Sequence, residues 1–296
     1  MEYALQMIAN FNLIELFKLD VGKLKIFIAE ACKRYNEVKF HNFKHGWSVM
    51  HMSYLLLRNG ASKYLTSLDI LPVLVGCLCH DLDHPGTNNT FEVVSHTERA
   101  LAYSYDSVLE RHHSSLTHRL LKSTDCCILE NLSSSDQMYV HVAITDIILA
   151  TDMRYHYTLV KELESASQNT PPFDVSSQTS RRELMKCMAH AADISSQQLP
   201  FELAKVWSDR CIAEFINQAE EEKLNGYPVT PFMTDLDTKE QQCRAQMGFI
   251  THVVSPLWSA VAVCFPAVLE RCDQLKQNHD QYAEMAGAND DASSSL

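Results

Sequence analysis

The residues best suited to chemistry are histidines and aspartates in a broken series: His41 and His45, then His80-Asp81 and Asp83-His84, then His190 and Asp193. Imidazole nitrogen and carboxylate oxygen together suit zinc, manganese or iron. A spacing of four puts His41 and His45 on one face of a helix. Such a pair can share one ion, can divide ligation from proton transfer, or can simply be structural. His80 and Asp81 are adjacent, so they diverge on a helix. Asp81 can still serve a shared centre by giving one oxygen to each of two ions, since paired ions in phosphohydrolases lie about 3.5–4 Å apart. Asp83 and His84 fit the outer layer that orients metal-bound imidazole or water, although Asp83 before Pro85-Gly86 also reads as a helix cap. Asp193 closes an apolar helical stretch, where a buried carboxylate is expensive without a cation; a helix-end cap is the alternative. Each piece has a structural reading of its own, and the set together is a far stronger signal of a metal centre than any part.

These side chains and Gln246 are scattered from 41 to 246, so one compact unit must gather them. The periodicity is helical throughout. Leu24, Phe27, Ile28 and Ala31 recur at helical spacing, as do Val49, Met52 and Leu56. The apolar run Leu71 to His80 reads as a buried helix. Further helices are predicted over 137–151, with Val140, Ile144, Ile147 and Ile148 inward, over 182–193 and over 201–222. The stretch 247–269, with Pro256, Pro266 and His252, reads as a core helix and a poor membrane span. Only 8 glycines and 9 prolines interrupt the chain. The fold class is therefore all-α, a compact multi-helix domain over 1–280, with 281–296 as a disordered tail. Residues 165–180 read as a solvated connection and 225–237, with Gly226, Pro228 and Pro231, as an irregular flap. Glu220-Glu221-Glu222-Lys223 reads as a solvated helix face.

The net charge is −12. A nucleic-acid binder needs a basic stripe, and the sequence carries none. An acidic protein that handles a phosphate needs local positive charge, and bound metal ions are the obvious source. Ten cysteines at irregular spacing read as reduced, buried thiols. Cys77, Cys79 and His80 do not make a zinc knuckle, because no second cysteine pair at that spacing follows. Residues 1–10 lack the basic and apolar regions of a signal peptide, so a cytoplasmic location is expected.

The order His45, His80-Asp81, Asp193 is similar to the HD superfamily of phosphohydrolases. Over about residues 10 to 275 the chain resembles the catalytic domain of class I cyclic nucleotide phosphodiesterases. The motifs that carry the resemblance are HNFKHGWSV (41–49), HDLDHPGTNN (80–89), SVLERHH (107–113), ATDM (150–153), HAADIS (190–195) and QMGFITHVVSPLW (246–258). It implies a tightly held ion, usually Zn²⁺, on His45, His80, Asp81 and Asp193. A second ion, Mg²⁺ or Mn²⁺, would touch the protein through Asp81 and keep its waters. A hydroxide bridging the ions would be the nucleophile, so no side chain is needed for attack. His41 would protonate the O3′ leaving group, with Glu110 orienting and charging His41. His84, Asn89, His113 and Thr151 would support the centre from outside the ligand set. Gln246 and Phe249 resemble a base-recognition pair, with Val206 or Ile194 closing the other face of the purine. Trp207 and Trp258 are left to packing.

One departure bears on selectivity. Adenine-selective members of the family often carry Asn where this chain has Ser196, and Gln197-Gln198-Leu199 also differs from the usual continuation. The resemblance implies cyclic AMP as the favoured substrate, and the departure leaves dual hydrolysis of cyclic AMP and cyclic GMP open. A deoxynucleotide triphosphohydrolase on the same core would need several basic residues for its triphosphate, and mainly Lys44 and Arg99 lie near the motifs. A decayed cyclic-nucleotide sensor should have lost a ligand or the acid, and all are present. Regulatory domains are expected outside this segment.

Overall fold

The computed structural model describes residues 2–293, with side chains to 287, and every regular element among them is helical. The most deeply placed helix explains the rest. Helices α1 (Glu2–Ala9), α2 (Val21–Lys33) and α3 (Phe43–Arg58) lead to α4 (Ser67–Cys79), in which every residue from Asp69 to Cys79 is buried. Burying a Leu or Val side chain is worth about 1.5–3 kcal/mol, so an apolar run this long stays in place only as a helix packed all round. Thr66 and Asp69 form a capping box at its start. The buried Asp69 carboxylate is matched by Arg181 at 2.9 Å and by the Tyr139 hydroxyl. Helix α4 packs on α3 and on α7 (Ser134–Leu149). The close approach to α7 depends on Gly76, where an added Cβ would stand 2.9 Å from Ile147 Cγ2. At the α3 crossing, a Cβ on Gly46 would collide with the Tyr35 ring.

Around this centre lie α5 (Asn89–Val94), α6 (Val108–Lys122), α8 (His156–Ser167), α9 (Gln178–Asp193) and α10 (Phe201–Leu224). The expected single helix over 247–269 is corrected at both ends. The chain is helical from α11 (Lys239–Phe249) through a π-turn at Ile250–Val254 into α12 (Ser255–Cys264). It stops at Phe265, whose extended φ of −133° is what a residue before proline prefers. This 26-residue stretch is long and apolar enough to cross a membrane, yet Ile250, Val254, Leu257 and Trp258 face the core. Trp258 Nε1 donates to Ala191 O at 3.1 Å and so fixes the end of α9.

The last helix, α13, runs Leu269–Ser293. Tyr282 and Ala286 are buried, with the Tyr282 ring 5.1 Å from Phe201. The expected tail at 281–296 is thus helical and docked as far as 287; residues 294–296 lie outside the described residues. Tyr282 and Ala286 share a helix face, a signal masked by the polar residues between them. The solvated-face reading of 220–223 holds for Glu220, Glu221 and Lys223 but not for Glu222, which is buried. The flap at 225–237 is irregular apart from a turn of 3₁₀ helix at Pro231–Met233. All ten cysteines are unpaired.

Candidate metal centre

Four side chains converge where α3 begins and where α4 and α9 end. Asn42 caps α3, accepting from Lys44 N at 3.0 Å, so the helix starts at Phe43. His45 is in its first turn and His41 precedes it. The two histidines therefore do not sit on one helix face as their spacing predicted; the cap bends the chain and sets their rings edge-to-face at 5.7 Å. His80 follows the last residue of α4. Asp81 to His84 form a turn, with Asp83 at a φ of +60° and its N–H donating to Arg34 O at 2.8 Å. Leaving the helix is what allows adjacent His80 and Asp81 to converge instead of diverging. Tyr35 braces that turn: its hydroxyl donates to Leu78 O at 2.8 Å and lies 3.4 Å from Asp81 N. Asp193 is the final residue of α9.

Asp193 Oδ1 stands 2.9 Å from His45 Nε2 and 3.1 Å from His80 Nε2, while Asp81 Oδ2 is 3.4 and 3.1 Å from the same two nitrogens. His80 Nδ1 lies 2.9 Å from Cys77 O, so it carries the proton, and a neutral His80 turns the Nε2 lone pair toward both carboxylates. Asp81 Oδ2 is buried without a hydrogen bond. Lone pairs and buried carboxylates facing one another are costly unless a cation or a proton stands between them. The donor set of two imidazoles and two carboxylates fits a divalent transition metal. Without one, burial opposes charge on His80, but Asp81 and Asp193 outweigh it and raise its affinity for a proton well above normal. Likewise burial opposes charge on Asp193, and His80 and His45 hold it below the usual carboxylate range.

A second group of donors lies beside the first. Asp81, His84 and His113 bring ligand atoms within 4.8 Å of one another. His113 donates through Nδ1 to Leu82 O at 2.6 Å and leaves Nε2 3.7 Å from Asp81 Oδ1; burial pushes it down to about 4, so it is neutral. His84 is also held neutral, by burial and then by the charge on His41. Asn89 donates to both oxygens of Glu110, at 3.1 and 2.9 Å, and accepts from Leu109 N at 3.0 Å. Thr151 bonds Ile148 O at the end of α7. Asp83 bonds His112 and Asn36 and caps no helix.

Glu110 does not partner His41. Its carboxyl is held by Asn89, and burial, with Asp152 nearby, pushes it up to about 7. The partner is Glu214 on α10, 173 residues along the chain, whose Oε1 bonds His41 Nδ1 and whose Oε2 accepts from Phe40 N at 2.8 Å. Burial opposes a proton on His41, but the Glu214 carboxylate raises its pKa above the ordinary imidazole value. His41 also stacks on His84 at 3.9 Å. The sequence signal for Glu214 was faint, a lone carboxylate between Ala213 and Phe215.

The proposed base-pocket residues lie on neighbouring elements. Gln246 and Phe249 are three apart on α11, so they share a face. Ile194 caps α9 directly after Asp193, and Val206 is half-exposed on α10. The Gln246 amide has no hydrogen-bond partner among the described residues, although the residue is buried. Trp207, assigned to packing, packs beside the centre, its ring 5.6 Å from Phe40 and 6.2 Å from His45.

Known proteins resemble this chain over most of its length. The family described as 3′5′-cyclic nucleotide phosphodiesterase matches residues 40–275. A 3′,5′-cyclic-nucleotide phosphodiesterase, regA, of Dictyostelium discoideum is 37 % identical over 96 % of this chain and 36 % of its own length. A high affinity cGMP-specific 3′,5′-cyclic phosphodiesterase 9A of Drosophila melanogaster is 38 % identical over 89 % of this chain and 17 % of its own. The chain thus spans about a third or less of these relatives. The crystal structure of the phosphodiesterase domain of the RhoPDE fusion protein from Salpingoeca rosetta superposes with a TM-score of 0.94 at 32 % identity, covering 97 % of this chain and 91 % of that one.

Proposed function

The chain belongs to the 3′5′-cyclic nucleotide phosphodiesterase family, and from that premise we propose that it hydrolyses the cyclic phosphodiester of cyclic AMP, and of cyclic GMP as well, to the 5′-monophosphate. The observation that carries this reading is an imidazole, His41, bonded to the Glu214 carboxylate beside a four-residue cluster suited to a cation. His45, His80, Asp81 and Asp193 would hold zinc, and Asp81 would share its carboxylate with Mg²⁺ or Mn²⁺. Bound ions supply Lewis acidity and an activated water. The protein's own part is acid catalysis. A water oxygen bonds to phosphorus, the P–O3′ bond breaks, and the proton on His41 Nε2 passes to O3′. Glu214, bonded to Nδ1, leaves Nε2 as the nitrogen free to donate.

Arg99 is bonded to Glu92 at 3.0 and 3.1 Å, which argues against a triphosphate substrate. The untethered Gln246 amide can present either end to a purine, which supports use of both nucleotides. A second reading, cyclic GMP preference, is favoured by the cGMP specificity of the Drosophila relative. The ten unpaired thiols support work in the reducing cytoplasm. The test is kcat/KM for both nucleotides, with Mg²⁺ and after chelation. Chelator-sensitive turnover of both is expected. Turnover of cyclic GMP alone would replace the first reading with the second, and turnover of neither would end both.

A further inference from the structure

Glu214, Gln218 and Glu222 recur every four residues along α10 and form one buried stripe, at 4, 2 and 1 % exposure. Each holds a different segment. Glu214 holds Phe40 and His41. Gln218 Oε1 accepts from Asn88 N at 2.8 Å. Glu222 accepts from Thr230 N at 2.8 Å and from Thr230 Oγ1 at 2.7 Å. The lower rungs are tied together, because the Gln218 amide donates to Glu222 Oε1 at 2.7 Å and to Thr230 Oγ1 at 3.2 Å. At 1.5 Å per residue the ladder is about 12 Å long.

The partners of Glu222 are all neutral donors. A carboxylate buried on such terms is costly, and apolar packing would be cheaper. What the network supplies is fixed geometry, since a fully satisfied buried network is rigid. The fixed object is the turn at 84–89. Asn88 hangs on Gln218, Gly86 lies against the Glu214 side chain (a Cβ there would be 3.6 Å from Glu214 Cδ), and His84 stacks on His41. The same turn continues into Asn89, which holds Glu110.

We propose that Gln218, braced by Glu222 and Thr230, is a positioning residue that seats the 84–89 turn against the His41–Glu214 pair, so that the flap at 225–237, through Thr230, sets the pose of the acid. This rests on the hydrolytic reading above. The test uses Glu222→Ala, Glu222→Gln, Gln218→Ala and the volume-conserving Thr230→Val, with exposed Glu221→Ala as control. Two measurements are made: hydrogen exchange of the intact chain, and steady-state kinetics on cyclic nucleotide. In Glu222→Ala, amides of 86–91 are expected to exchange roughly tenfold faster while those of α4 do not change. The expected kinetic effect is a roughly tenfold loss in kcat with KM little altered, partly restored in Glu222→Gln and milder in Thr230→Val. Unchanged exchange at 86–91, uniform acceleration across the core, or a loss carried by KM alone would overturn the proposal. If the wild type turns over neither nucleotide, the hydrolytic reading falls, and the exchange data still decide whether the ladder seats the turn.

Discussion

A proton on His41 is useful only if it is still there near neutral pH. Burial works to remove it, and Glu214 keeps it by its charge and its bond to Nδ1. The sign of the pH effect follows. With His41 as the proposed acid, activity needs the protonated imidazole and is expected to fall as pH rises through the pKa of His41, which lies above the ordinary value. Glu214→Gln removes the charge and lowers that pKa, so the basic limb of the kcat profile should move to lower pH. A limb that stays in place would mean that another group titrates there. Replacing His41 with Ala should cost about 10²–10⁴ in kcat with metal content retained. The penalty should shrink on an analogue whose leaving group departs without a proton, and an equal penalty on both substrates would remove His41 from the acid role. His84 fits the same logic, since a ring kept neutral can stack on a charged imidazole without repelling it.

At the scale of elements, the centre depends on helices that approach closely. Gly76 allows α4 to sit against α7, and Gly76→Ala would press a methyl to 2.9 Å from Ile147. Overpacking of this kind costs about 1–3 kcal/mol. The variant should unfold at lower denaturant with kcat little changed at low temperature; an unchanged midpoint would mean that Ile147 moves aside freely. The same helices show what the sequence made legible. Helices α4, α7 and α9 were readable from apolar residues at helical spacing, and three of the six motifs contain the four side chains that converge. Local backbone geometry was less legible. The four-residue spacing of His41 and His45 suggested a shared helix face, but the Asn42 cap starts the helix between them. His80-Asp81 read as diverging because nothing in the pattern announces that Asp83 turns to positive φ and bends the chain at once. The assignment of Glu110 to His41 fails for another reason. Which of many carboxylates meets His41 is decided by packing across 173 residues of chain, and no local period encodes that.

At the scale of the molecule, a net charge of −12 surrounds a cluster of carboxylates that gains nothing from being buried alone. The quartet joins the start of α3 to the ends of α4 and α9, so a cation there links three elements that are distant in sequence. An ion bound only by the folded chain stabilises it by RT ln(1 + [L]/Kd), about 2.7 kcal/mol at a hundred times Kd. For a domain of this size each kcal/mol moves Tm by about 2–4 °C. Chelation should therefore lower Tm by roughly 5–10 °C on the same principles, and re-added Zn²⁺ should restore it. Asp193→Ala removes the carboxylate that stands between both imidazoles. It should abolish turnover, reduce bound metal and leave Tm nearly indifferent to chelator. If its Tm still falls on chelation as far as that of the wild type, the stabilising ion is held elsewhere and Asp193 is not one of its ligands.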